Sequence, residues 1–267
     1  MKICLDPGHD KGYNPSPCGY GYYEGTRMFE LCVLLKAELE RYQDVSVVLT
    51  RQKVEDDLSL YDRAACGKGC DLLISSHSNA VANDVNDDVD YVICYYPVSG
   101  ALRELAQALS VTVARVIGTR QAPQAVQKWN SAHNADWMGV IRHSAAFGVP
   151  ALLLEHSFHT NTRVTKWLMS DDNLRLLAAA EAEVIAAVYG LQRKDEGKEE
   201  AEMRYNTLAD LKADKYNAPY YLPTVEKLMA KGILRGKGGE GDETILDLGE
   251  DAVRVLVTLD RAGVYGE

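Results

Sequence analysis

The sequence predicts an α/β fold, with a mainly parallel twisted sheet and helices on both faces, plus a small mostly helical C-terminal domain. Two observations lead to this prediction. Short apolar runs typical of strands alternate with longer segments whose apolar residues recur at helical spacing. An almost entirely charged run, residues 193–202, then separates these segments from the rest. We therefore predict a first domain over residues 1–190, a charged linker over 191–202 and a small helical domain over 203–267.

The first predicted strand is residues 2–5, at the beginning of the chain. Ile3, Cys4 and Leu5 are apolar, and the Asp-Pro-Gly sequence that follows ends the run. His9 then stands at the carboxyl end of the strand, which is the edge where ligands bind in open α/β sheets.

The following elements alternate in the same way. A helix is predicted from about residue 26 to residue 42, with Glu24 at its start, whereas residues 118–150 show no clean periodicity. The remaining predicted strands are residues 45–49, 71–75, 90–96 and 151–154, and the remaining predicted helices are residues 60–66, 101–117 and 172–189.

Polar, chemically active side chains occupy equivalent positions in these elements. His77 follows the strand at 71–75, and Glu155 follows the strand at 151–154. Because the carboxyl ends of parallel strands meet at one edge of a sheet, we expect both to lie near His9 and Glu24. Two histidines and two glutamates that converge on one edge of the sheet indicate a functional site, and a histidine at such an edge is a plausible metal ligand.

The motifs at these positions are similar to those of a known family, the zinc-dependent N-acetylmuramoyl-L-alanine amidases of the amidase-3 type. Two positions depart from the family pattern: Asp10 replaces a usual glycine, and His-Ser-Phe-His follows Glu155 instead of the usual Gly-Phe pair. The matching segments are LDPGH at 5–9, Glu24, LTR at 49–51, Arg63, DLLISSHSNA at 71–80 and PALLLEHSFHTN at 150–161.

The resemblance implies a peptidoglycan hydrolase. It implies that the enzyme cleaves the amide bond between N-acetylmuramic acid and L-alanine of the stem peptide with zinc-activated water. By position, His9, Glu24 and His77 would hold Zn²⁺ and Glu155 would be catalytic. Arg63, Asn79 and His156 are further candidates for contacts with the substrate or the ligands. A zinc peptidase that cuts the stem peptide and a non-catalytic cell-wall binding module remain open alternatives.

Bulk properties exclude some partners. A formal net charge of −10 argues against nucleic acid, which requires clustered Lys and Arg. No apolar run approaches the roughly 20 residues needed to span a membrane. The first residues enter a strand directly, so we expect no secretory signal. Without a signal, the six cysteines are expected to be reduced structural thiols.

The last predicted domain, residues 203–267, contains predicted helices at 224–230 and 251–261, the second with Val253, Leu256, Val257 and Ala262 facing inward. It resembles one S-layer-homology-like repeat and the tails of clostridial prophage amidases. A domain this small buries little surface alone, so we expect it to dock on a cell-wall polymer or to form a homodimer. Together with the missing signal, this resemblance predicts a prophage endolysin that is made in the cytoplasm and reaches the wall after release by a holin or lysis. A host autolysin is the other possibility.

Overall fold

The structure is a computed structural model that describes residues 1–194, 204–215, 217–261 and 265–266. The contacts within the chain divide it into two compact units, Met1–Lys194 and Asp195–Glu267. Most of the predicted linker, residues 195–202, lies outside the described residues. None of the helices formed by the described residues is long and apolar enough to cross a membrane.

The first unit is a six-stranded sheet with helices packed around it. Its strands are β1 (Lys2–Pro7), β2 (Ser46–Leu49), β3 (Leu72–Asn79), β4 (Ile93–Tyr95), β5 (Gln124–Val126) and β6 (Ala151–Phe158). Its helices are α1 (Glu24–Leu39), α2 (Leu60–Cys66), α3 (Arg103–Ile117), α4 (Gly139–Ala146), α5 (Thr162–Leu168) and α6 (Asp171–Tyr189).

The strands follow the order β2-β1-β3-β6-β4-β5, and the prediction of a mainly parallel sheet is confirmed. The four strands β2, β1, β3 and β6 run parallel, whereas β4 runs antiparallel to β6, and β5 runs parallel to β4. The chain passes from β3 to β4 without a helix. A parallel connection needs a crossover that returns the chain to the end of the sheet where β3 began. Because this crossover is missing, β4 runs in the reverse direction.

Helices cover both faces of the sheet, as predicted. Alternate residues of β1 belong to different core clusters: Ile3 and Leu5 pack in the larger cluster, which includes buried residues of α1, α3 and α6. Cys4 packs in the smaller cluster, which includes Val140 and Ile141 of α4. Since both faces are buried, the central strands are apolar runs without the alternation of a half-exposed sheet.

Two sequence-based predictions in the first unit need correction. Residues 118–150 contain β5 and α4, which are too short to give a visible period. The strands β3 and β6 also do not end at residues 75 and 154 but continue through polar residues to Asn79 and Phe158. His77 and Glu155 therefore lie inside paired strands, directly opposite each other.

The six cysteines all lie within the described residues 1–194, and all are free thiols. Cys32 and Cys94 are fully buried in the larger core cluster, the position expected of structural thiols.

The second unit combines helices with a small sheet. The helix predicted at 224–230 is the last part of a longer helix, and the helix predicted at 251–261 is present with nearly the same bounds. The two-stranded antiparallel sheet was not predicted. Val253 and Val257 are buried, as expected, whereas Ala262 lies outside the described residues. The elements are β7 (Arg204–Thr207), α7 (Leu208–Ala213), α8 (Ala218–Ala230), β8 (Ile245–Gly249) and α9 (Glu250–Arg261).

Candidate metal centre

His9, Glu24 and His77 come together at the carboxyl ends of β1 and β3. Each offers one ligand atom, and these atoms all lie within 4.8 Å of one another. Oε1 of Glu24 lies 2.9 Å from Nδ1 of His77 and 3.5 Å from Nε2 of His9. Among the described residues, this is the group of histidine, cysteine and acidic side chains that is close enough to hold a metal ion.

The backbone after β1 is shaped to bring His9 against His77. His9 adopts a left-handed conformation, with φ of 56°. Gly8 lies directly against the His77 ring, and a Cβ at this position would come within 2.3 Å of Cε1 of that ring. A residue with a Cβ at this position would have to displace the His77 ring.

Two buried arginines hold this turn in place. Arg63 donates to the carbonyl oxygens of Pro7 and His9, at 2.6 Å each, and to Oδ1 of Asp6 at 2.9 Å. Arg51 is fully buried and donates to the carbonyl oxygen of Gly8 at 3.3 Å. Arg63 was a candidate for contact with the substrate or the ligands, and the structure places it against the main chain of His9.

Glu24, the first residue of α1, is held as a carboxylate. Its Oε1 accepts a hydrogen bond from the main-chain nitrogen of Ser78 at 3.1 Å, and its Oε2 accepts one from Nδ2 of Asn14 at 2.7 Å. Burial alone would raise the pKa of Glu24. The hydrogen bond and charge of His77 and the charge of His9 outweigh burial and lower this pKa to about 2. The ionised form is the one that binds a metal ion.

The two histidines respond to the same surroundings in opposite directions. Burial would lower the pKa of His77, but the hydrogen bond and charge of Glu24 raise it to about 9. For His9 the effect of burial is larger than that of Glu24, so its pKa lies below the usual value.

Glu155 lies beside the cluster in a different environment. Its side chain is partly exposed, but its Oε2 is buried and has no hydrogen-bond partner among the described residues. Burial raises the pKa of Glu155 to about 7, with the charge of His77 opposing this rise and the charge of Glu24 adding to it. A carboxyl group poised near neutral pH beside a candidate metal site is typical of a general base.

The other predicted site residues lie around the cluster. His156 is fully buried on the opposite face of β6; its Nε2 lies 2.9 Å from Oε1 of Glu181, and its Nδ1 lies 2.9 Å from the carbonyl oxygen of His77. Oδ1 of Asn79 accepts a hydrogen bond from the main-chain nitrogen of its neighbour Ala80, at 2.8 Å. The contact of His156 with His77 is made through the carbonyl oxygen of His77 and not through its ring.

The sequence did not identify Asn14 or Ser78 as parts of this site. The hydroxyl of Tyr22 bonds Oγ of Ser78 at 2.6 Å, and Oγ of Ser78 lies 2.9 Å from Nδ1 of His159. Asn14 and Tyr22 belong to a loop in which no periodicity indicates which side chains turn inward. Ser78 lies inside the SSHSNA motif, and its contact with Glu24 is through the main-chain nitrogen, which no side-chain pattern reveals.

The ligand atoms suit zinc. Two imidazole nitrogens and one carboxylate oxygen form a three-ligand set of the kind found in catalytic zinc sites. Glu155, whose buried Oε2 has no hydrogen-bond partner within the described part of the chain, supplies a neighbouring carboxyl group.

The chain is similar to known amidases over this unit. The family model Amidase_3, described as N-acetylmuramoyl-L-alanine amidase, matches residues 3–187. The N-acetylmuramoyl-L-alanine amidase CwlM of Bacillus licheniformis is 29% identical over 196 residues, which are 72% of this chain and 70% of that protein.

Solved structures share the fold. The N-acetylmuramoyl-L-alanine amidase of Clostridium difficile 630 has a TM-score of 0.60 at 21% identity, with 73% of this chain and 98% of that chain covered. The catalytic domain of CwlV from Bacillus (Paenibacillus) polymyxa var. colistinus has a TM-score of 0.59 at 19% identity, with 72% of this chain and 99% of that chain covered.

Replacing Glu155 by Gln should change how the stability of the chelator-treated protein depends on pH. The pKa of this carboxyl group is near 4.5 in the unfolded chain and about 7 in the folded protein. Above pH 7 the folded protein must therefore hold a buried carboxylate, which destabilises it relative to the unfolded chain. Wild-type stability relative to Glu155→Gln should therefore fall as pH rises from about 4.5 to about 7, by about 3 kcal/mol at most. Urea unfolding across this range measures the difference, and a constant difference would contradict the assigned environment of Glu155.

Replacing Gly8 by Ala should weaken metal binding, because the new Cβ would displace the His77 ring. We expect at least a roughly tenfold loss of zinc affinity together with a destabilisation of about 1–3 kcal/mol. Competition with a chromophoric chelator measures the affinity. Gly139→Ala is the matched control, since its Cβ would meet the flexible side chain of Leu60 instead. Equal zinc affinity in the two variants would show that Gly8 does not position His77.

Proposed function

The chain belongs to the N-acetylmuramoyl-L-alanine amidase family Amidase_3, and we propose that it cleaves peptidoglycan with a zinc ion held by His9, Glu24 and His77. The bond is the amide that joins N-acetylmuramic acid to L-alanine of the stem peptide. The observation that carries the zinc proposal is the His-Glu-His cluster with Glu155 directly beside it, opposite His77 in the β3–β6 pair.

The three ligands would hold a zinc ion, which acts as a Lewis acid, at the edge of the sheet. Zinc bound by such a set lowers the pKa of a water molecule to about 7 and polarises the scissile carbonyl group. The low pKa of Glu24 keeps its carboxylate available for the ion at neutral pH.

Glu155 would move the proton. As a carboxylate it would accept a proton from the attacking water, and as a carboxylic acid it would then donate this proton to the leaving nitrogen of L-alanine. A pKa of about 7 suits both steps, because neither protonation state is strongly favoured at neutral pH. The cleaved peptide leaves with a free alanine amino terminus, and the lactyl group of the sugar becomes a carboxylic acid.

The remaining candidate residues would position these groups. Arg63 holds the His9 main chain from one side of β1, and His156 contacts the His77 main chain from the opposite face of β6. For Asn79, contact with the substrate stays a prediction.

Replacing Glu155 by Gln should leave zinc bound and remove almost all turnover, because the amide cannot accept the proton. We expect a loss of about 10²- to 10⁴-fold in the rate of amide cleavage. Zinc content by elemental analysis and the release of amino termini from peptidoglycan measure the two properties. Glu183→Gln, an exposed position on α6, is the control. Near-wild-type turnover would remove Glu155 from the mechanism.

Digestion of purified peptidoglycan tests the reaction and the metal together. New alanine amino termini should appear, vanish after chelator treatment and return when zinc is added. New amino termini from other residues would identify a peptidase instead. Wall binding without any cleavage would favour a non-catalytic module.

The prophage origin, the release by a holin or lysis and the role of the second unit stay predictions from the sequence. We propose that residues 203–267 dock on a cell-wall polymer or pair with a second copy. Pull-down of the full chain with insoluble wall and its sedimentation equilibrium separate these two possibilities. Export of the native protein without lysis would contradict the endolysin prediction.

A further inference from the structure

Two successive loop residues reach two of the proposed zinc ligands. The ring of Tyr13 stacks on the ring of His9, with centroids 4.7 Å apart and planes at 11°. Nδ2 of Asn14 lies 2.7 Å from Oε2 of Glu24 and 3.1 Å from Nε2 of His9. The main-chain nitrogen of Glu24 also donates to the carbonyl oxygen of Asn14 at 3.1 Å.

The chemistry of these neighbours fixes the role of the Asn14 amide. A carboxylate can only accept hydrogen bonds, so the amide atom beside Glu24 is the nitrogen. This nitrogen has a second hydrogen, and its other neighbour is Nε2 of His9, which must then present a lone pair. One NH₂ group therefore satisfies two acceptors, one on each of two proposed metal ligands.

Without the Asn14 amide, the ring proton of His9 could lie on Nε2 instead of Nδ1. Oε1 of Glu24 lies 3.5 Å from Nε2 of His9, so a proton on that nitrogen would be attracted to the carboxylate. A protonated Nε2 cannot bind a metal ion. By donating to Nε2, Asn14 favours the tautomer that carries its proton on Nδ1.

We propose that Asn14 is a positioning residue of the metal centre, which holds His9 in the metal-binding tautomer and fixes Oε2 of Glu24 before a cation arrives. The proposal rests on the proposed zinc site. When an ion takes the lone pair of His9, the bond from Asn14 to His9 is lost, whereas the bond from Asn14 to Oε2 of Glu24 remains and orients the carboxylate, so the gain in metal affinity comes from this second bond. Hydrogen bonds to metal ligands of this kind commonly contribute 10- to 100-fold to metal affinity.

The backbone at Asn14 allows a clean substitution. Its φ of 50° lies in the left-handed region, which glycine adopts without strain, so Asn14→Gly removes the amide and keeps the turn. Tyr20 provides the matched control, because it lies in the same loop with φ of 59° and is exposed. The ring of Tyr20 contacts Lys166 rather than a proposed ligand.

Zinc affinity is the first measurement, by competition with a chromophoric chelator. Asn14→Gly should bind zinc about 10- to 100-fold more weakly than the wild type, and Tyr20→Gly should bind within about twofold of it. Wild-type affinity in Asn14→Gly would overturn the proposal. A wild-type protein that binds no zinc would contradict the zinc site itself, which separates the two failures.

The tautomer of His9 is the second measurement, by long-range proton–nitrogen NMR of the chelator-treated protein at a pH where His9 is neutral. The wild type should show the proton on Nδ1, and Asn14→Gly should shift it toward Nε2. If Asn14→Gly does not fold, Asn14→Asp keeps the side-chain size but offers no donor, and the same shift is expected. An unchanged tautomer in a folded variant would overturn the proposal.

Discussion

The parallel pairing of β3 with β6 is the constraint on which the site depends. Its register sets His77 opposite Glu155, which brings a proposed ligand and the proposed base to adjacent positions on one face of the sheet. A slip of one residue would turn one of the two side chains to the other face. The apolar residues of both strands pack into cores on both faces, so the free energy of core packing also fixes the geometry of the site.

The two carboxylates of the site show how the surroundings decide chemical roles. Glu24 is buried among hydrogen-bond donors and histidines, and its pKa falls to about 2. Glu155 has a buried oxygen to which no group in the described part of the chain donates a hydrogen bond, and its pKa rises to about 7. The same functional group is thereby suited to bind a cation in one place and to exchange a proton in the other.

Much of the fold was predictable because the burial of both sheet faces leaves a direct trace in the sequence. Apolar runs marked β1, β3 and β6, and the polar residues that follow them indicated one functional edge. The direction of β4 was not predictable from its own residues, since it depends on the missing crossover. Asn14 was not predictable either, because its contacts arise only when the loop folds over His9 and Glu24. Local patterns describe the strands and helices, whereas contacts between a loop and a strand depend on the whole fold.

The close approach of Gly8 to the His77 ring has a genetic consequence. Every missense change in a glycine codon adds at least a Cβ atom, and the smallest addition already reaches the imidazole. This codon therefore has no replacement that leaves the His77 ring undisturbed. A substitution at position 8 therefore acts on the site by displacing the imidazole, so the requirement for the imidazole extends to a residue that has no side chain of its own.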